Sequence, residues 1–132
     1  MGFRERLWRF LSGQKKNRLE DIIENFLKRN SASVSGVLLA TRDGFLVHRT
    51  KNIPEEQAFA FIRHVLNAVK KVINLSSFDG RFISRIVING NVHAIVGYDY
   101  ELLIILPSHS KMNFEDIKRK LNELLDKLGE LL

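Results

Sequence analysis

There is no cysteine among the 132 residues, which excludes a disulfide, a thiolate-bound metal and a cysteine nucleophile, and is compatible with a reducing compartment. No unbroken apolar run is longer than five residues, as at Leu102–Leu106; a helix that spans a bilayer needs about 20. A signal-peptide core is not expected either, because Arg4, Glu5, Arg6 and Arg9 interrupt the first apolar residues. Met1-Gly2 falls short of a myristoylation signal, since Arg6 stands where Ser or Thr is wanted. Catalytic patterns are as scarce. His48, His64, His93 and His109 show no His-Glu-x-x-His spacing, and no glycine-rich phosphate loop occurs. Ser108-His109-Ser110 reads as an exposed turn after a strand, and His93, alternating with Ile95, as an ordinary strand residue. The expectation is a chain that is not an enzyme, with no metal and no cofactor.

What is present fits one domain with a single core, at 45% hydrophobic residues. The net charge of +6 is concentrated at one end. Residues 1–18 hold Arg4, Arg6, Arg9, Lys15, Lys16 and Arg18 against Glu5, and the other 114 residues carry 15 basic and 14 acidic groups. A nucleic-acid-binding domain usually has a basic face on its folded body, and this body is nearly neutral, so no nucleic-acid partner is expected.

The basic end has a pattern of its own. On a helical wheel Phe3, Leu7, Phe10 and Leu11 share a face with Trp8 at its margin, Arg4 interrupts the arc, and Glu5, Arg6 and Arg9 lie opposite. Such a short amphipathic helix either packs on protein or lies in the interface of an anionic membrane, with residues 1–18 as the contact. Ser12-Gly13-Gln14 marks a break. The expected division is 1–17 as helix and linker and 18–132 as the domain, in the cytoplasm, at the inner membrane face if the lipid reading holds.

Two tight-turn signatures, Arg42-Asp43-Gly44 and Asn89-Gly90-Asn91, flank one long helical stretch, and each joins segments of strand character. A first helix is expected from Asn17, capped by that residue, with Leu19, Ile22, Ile23, Phe26 and Leu27 as its buried stripe and Asn30-Ser31 as its end. Strands at 34–40 and 45–50 form a hairpin. Pro54, Glu55 and Glu56 open a second helix that runs to about Asn74, followed by a loop at 76–80. Strands at 81–89, 92–99 and 101–106 make a meander that Pro107 ends. Asn113 caps a last helix, whose stripe is Phe114, Ile117, Leu121, Leu124, Leu125 and Leu128; an a/d heptad also fits, but under three heptads favours packing on the sheet over a coiled coil.

Composition orders the strands. Leu102–Leu106 is apolar on both faces and 34–40 nearly so, as central strands covered by helices above and below should be. Arg81 and Arg85 mark one edge and His48 and Arg49 the other. The fold class is therefore α+β, a three-layer α/β/α sandwich on a five-stranded antiparallel sheet of order 2-1-5-4-3, preceded by the amphipathic N-terminal helix.

From Leu19 to about Leu128 the chain resembles the Roadblock/LC7 domain family, the profilin-like dimerisation module of dynein light chains, MglB-type bacterial regulators and GTPase scaffolds. The match is densest at Gly36-Val37-Leu38-Leu39-Ala40-Thr41-Arg42-Asp43-Gly44-Phe45-Leu46-Val47, which is similar to the family's first hairpin; the helix, second hairpin and last helix follow in the family's order.

Two features of the residues agree with a homodimer. Ala58, Phe59, Phe61, Ile62, Val65, Leu66, Ala68, Val69, Val72 and Ile73 cover about 180° of the central helix, where packing on one sheet needs about 100°. The edge strand at 81–89 would leave a row of unpaired backbone groups about 30 Å long. The expected interface comprises Phe61, Ile62, Val65, Leu66, Val69 and Val72 with Ile83, Arg85 and Val87 of the edge.

The resemblance implies an adaptor or regulator of a small Ras-like GTPase, as scaffold or activating partner and without chemistry of its own, on a dimer whose third strands join and whose central helices lie side by side. The positions that match the family's docking face are Ala60, Arg63, His64, Asn67, Lys70, Lys71 and Asn74. The alternative is a membrane-attached dimerisation adaptor acting through Phe3, Arg4, Leu7, Trp8, Phe10 and Leu11 with no GTPase.

Overall fold

A computed structural model describes residues 15–72, 80–88, 92–99 and 102–131. In chain order these form α1 (Lys15–Arg29), β1 (Leu38–Thr41), β2 (Leu46–Arg49), α2 (Glu55–Val72), β3 (Arg81–Ile88), β4 (Val92–Asp99), β5 (Leu102–Ser108) and α3 (Phe114–Leu131). The strands make one antiparallel sheet of order β2-β1-β5-β4-β3. Helices cover both faces. Leu19, Ile23 and Phe26 of α1 and Ile117, Leu121, Leu124, Leu125 and Leu128 of α3 pack with Leu39, Ile95, Leu102, Ile104 and Leu106 on one side. Ala58, Phe61, Ile62, Val65, Leu66 and Val69 of α2 pack with Leu38, Ala40, Val96, Tyr98, Leu103 and Ile105 on the other. This is the expected three-layer sandwich, strand order included.

β5 lies at the centre because its side chains are apolar toward both helix layers. Leu102, Ile104 and Leu106 face α1 and α3, while Leu103 and Ile105 face α2, and all five are buried. The strand continues past Pro107, which corrects the expectation that this residue ends it. Proline removes a donor but keeps its acceptor. Pro107 pairs with Ala94 of β4, and on its other side, where β1 has already ended, its carbonyl takes the Ser35 N–H at 2.8 Å. The first strand is correspondingly shorter than expected, with Val34 joined to Ser108 only by an isolated bridge.

The helix ends follow local chemistry, with one exception. α1 is already under way at Lys15, so Asn17 sits inside it and is not its cap. At its other end, Asn30 N–H donates to Phe26 O at 3.1 Å and its Nδ2 to the same carbonyl at 2.8 Å. The Pro54 carbonyl accepts from Ala58 N–H at 2.9 Å to open α2. Asn113 Oδ1 accepts from Asp116 N–H at 3.1 Å, the expected cap of α3. The buried stripe of α3 rests on the sheet, so the heptad does not mark a coiled coil within the chain.

Two glycines position layers. Gly44 has φ +93 in the β1–β2 turn, where a side chain would be strained, and its absent Cβ leaves room for Leu66 of α2. Gly97 of β4 lets α3 approach, since a Cβ there would stand 3.0 Å from Leu121 Cδ2.

Candidate functional site

The α2 side and the β3 edge hold the residues on which the sequence placed pairing and docking. Phe61, Ile62, Val65, Leu66 and Val69 are buried within the single chain, which corrects the argument that half of the apolar arc of α2 lacks a partner. The reason lies in the flanks of the sheet. Leu46 of β2 reaches in from one side and Phe82 and Ile86 of β3 from the other, so the helix is cradled over more than the arc that a flat sheet would cover. Left outside are Phe59, 44% exposed, and the exposed Ala60 and Ala68. The Val72 side chain, Ile73 and Asn74 lie outside what the structure describes, as do the Asn89-Gly90-Asn91 turn, the 76–79 part of the loop and residues 1–14 with the amphipathic segment.

β3 is an edge of the sheet among the described strands, eight residues long, and pairs only with β4. Ile83 is half-buried against the α1–α3 layer, whereas Val87 is 54% exposed. Arg85 lies on the same face, where one Nη donates to Ser110 O at 3.1 Å and meets His93 Nδ1 at 3.2 Å. Arg81 closes the other end. Its Nη2 stands 2.9 Å from Asp99 Oδ2 and 2.8 Å from Asp126 Oδ1, and its Nη1 3.3 Å from Asn122 Oδ1. Partial burial alone would weaken this charge, but hydrogen bonds and attraction from Asp99 and Asp126 outweigh it and raise the guanidinium's pKa. The sequence marked Arg81 only as an edge residue. The Asn89-Gly90-Asn91 signature contained the missing signal, because positions equidistant from its middle residue are expected to pair, and Arg81 and Asp99 are such a pair.

The residues expected to face a GTPase, Ala60, Arg63, His64, Asn67, Lys70 and Lys71, are all exposed along the outer side of α2. They form one polar, cationic strip on a helix whose opposite side is anchored in the core. Beside the hairpin that touches α2, Arg42 stacks over the Tyr98 ring at 4.9 Å and its Nε donates to the Tyr98 hydroxyl. Burial raises the pKa of Tyr98, with Arg42 opposing. Among the described residues no group of three or more His, Asp or Glu side chains could hold a metal, and no helix is long and apolar enough to cross a membrane.

Comparison with solved structures locates this architecture. The Roadblock/LC7 domain from Streptomyces avermitillis superposes with a TM-score of 0.65 at 14% identity, over 83% of this chain and 96% of that one. Myxococcus xanthus MglB gives 0.68 at 8% identity, over 91% and 94%. LokiProfilin1, from its complex with rabbit actin, gives 0.60 at 18% identity, over 88% and 97%. No protein-family model matches the chain, and no curated protein matches it in sequence. The fold is that of a Roadblock/LC7 domain of the MglB kind, within the wider profilin-like architecture.

Proposed function

We propose that this chain is a homodimeric, non-catalytic adaptor or regulator of a small Ras-like GTPase. The observation that carries the reading is the division of α2 into a buried side that fixes it to the sheet and an exposed side bearing Arg63, His64, Asn67, Lys70 and Lys71, on a Roadblock/LC7-type fold. The open β3 edge supports pairing. Two such edges joined antiparallel would fill both rows of backbone groups, extend the sheet to ten strands and bring the two α2 helices side by side. The resulting paired helices would present a doubled cationic strip. Arg63 and Lys71 are suited to the acidic switch segments of a nucleotide-binding partner and act by binding, with no reacting group of their own.

The test is a titration of a small Ras-like GTPase from the source organism, loaded with GTP or GDP analogues, against wild type and the Arg63→Glu, Lys71→Glu variant. The reading predicts a loss of about 1–3 kcal/mol in the variant, the range for reversing a few central interface charges. Preference for the GTP form with faster hydrolysis would make the chain an activator; indifference to the nucleotide would make it a scaffold. Unchanged affinity in the variant would remove this face from the account.

A further inference from the structure

On the side of the sheet away from α2, α1 and α3 enclose a cleft of about 230 Å³. Its apolar strip is made by Ile22 and Phe26 of α1 and Leu124 of α3. Along it stand four cations, Arg29, Arg119, Lys120 and Lys127, and a single acid, Glu123. Two of the cations are already occupied within α3. Asp116 holds Arg119 and Lys120 at 2.9 Å each, and Glu123 lies 3.8 Å from Arg119. Arg29 and Lys127, one on each helix, have no ion-pair partner among the described residues. A polar group is also left incomplete. Asn30 lines the cleft at 6% exposure and spends its Nδ2 on Phe26 O, while its Oδ1 has no donor among the described residues.

We propose that the α1–α3 cleft docks an extended acidic segment of a partner protein, with carboxylates between Arg29 and Lys127 and an apolar side chain on the Ile22–Phe26–Leu124 strip. Such a segment supplies both complements at once; the Asn30 oxygen is enclosed beneath the cleft and takes no part. A free phosphate would satisfy the cations and leave the apolar strip uncovered. A lipid headgroup layer is flat and meets the ridges of two helices, whereas these groups line the furrow between them. Residues 1–14 of the chain, with Arg4, Arg6 and Arg9 against Glu5, carry the same sign of charge as the cleft and offer it no acidic complement. Because α1 and α3 cover the face opposite α2, an acidic segment and an α2-bound partner would occupy the chain together, and the proposal does not rest on the GTPase reading.

The experiment is a fluorescence-anisotropy titration of the full chain with a fluorescein-labelled peptide, Glu-Asp-Leu-Glu-Glu-Leu-Asp-Glu. The same peptide with Gln and Asn for Glu and Asp serves as the neutral comparison. The expected result is saturable binding of the acidic peptide alone, weakened about tenfold in an Arg29→Glu, Lys127→Glu variant, the ordinary effect of reversing central interface charges. Both side chains are exposed, so the fold is kept. A Lys51→Glu, Lys111→Glu variant makes the same change of net charge elsewhere on the surface and should bind as wild type. No binding by wild type, or equal weakening in both variants, overturns the proposal. So does binding of phosphatidylserine vesicles that the Arg29, Lys127 variant abolishes while no peptide binds, which would assign the cations to a membrane surface.

Discussion

Arg81 and Asp99 are directly opposed across the β3–β4 ladder and joined at two points, Nε and Nη2 of the guanidinium lying 3.2 and 2.9 Å from the same carboxylate oxygen. The pair also reaches α3 through Asp126, so it ties the open edge of the sheet to the helix layer. Asp99 is buried and Arg81 is partly open to water. Arg81→Ala therefore leaves a buried carboxylate without its cation and is expected to cost about 1–3 kcal/mol in urea unfolding. Asp126→Ala removes only the exposed partner and should change stability by under about 1 kcal/mol. A larger effect from Asp126 than from Arg81 would reverse this ranking.

Tyr98 gives a prediction at alkaline pH. Its pKa is raised by burial, so the folded state favours the neutral phenol. The stability this contributes is complete below the ordinary phenol value of about 10 and is lost as pH rises through the higher folded value. In Tyr98→Phe that dependence disappears. Stability measured at neutral pH should be lower than in wild type, because Arg42 loses its hydroxyl acceptor, and the deficit should narrow above pH of about 10. A deficit that stays constant across this range would show that Tyr98 does not titrate late.

Gly97 and Leu121 should behave as a coupled pair. A methyl group at position 97 crowds Leu121 at 3.0 Å and Leu125 at 3.4 Å, so Gly97→Ala is expected to destabilise by about 1–3 kcal/mol. Leu121→Ala alone opens a cavity and should cost about 2–5 kcal/mol. Together they should cost less than their sum, since the added methyl enters the space vacated. Strict additivity in the double-mutant cycle would mean that α3 is not seated on β4 through this contact.

Much of the fold was legible because its signals are local and agree with one another. Arg42-Asp43-Gly44 needs a positive φ at its glycine, Leu102–Leu106 needs cover on both faces, and charged residues on 81–88 and 46–49 mark strands with a free side. From those three facts the strand order follows. The errors share a cause, which is that sequence reasoning treats each element alone. Pro107 is a strand ender only if its donor is needed, and the segment before β1 that lies beside it takes only its carbonyl, through the Ser35 N–H. The wide arc of α2 looked unpartnered because a helical wheel does not include Leu46, Phe82 and Ile86 rising at the flanks. The α1–α3 cleft was invisible for the same reason. Arg29, Arg119 and Lys127 lie outside the buried stripes that the sequence marks, and only the packing of two helices distant in sequence sets them around one furrow.

The dimer is the claim on which the adaptor reading stands, and burial of the α2 residues changes how it must be tested. Val65→Asp or Val69→Asp would place a charge in the protomer core and unfold the chain, so neither isolates pairing. Val87, exposed on β3, is the appropriate position. The decisive measurement is light scattering of wild type and Val87→Asp at tens of micromolar, with thermal unfolding followed alongside. The account predicts a dimeric mass for wild type and a shift toward monomer in a variant that remains folded. A wild type that is monomeric at that concentration would contradict it.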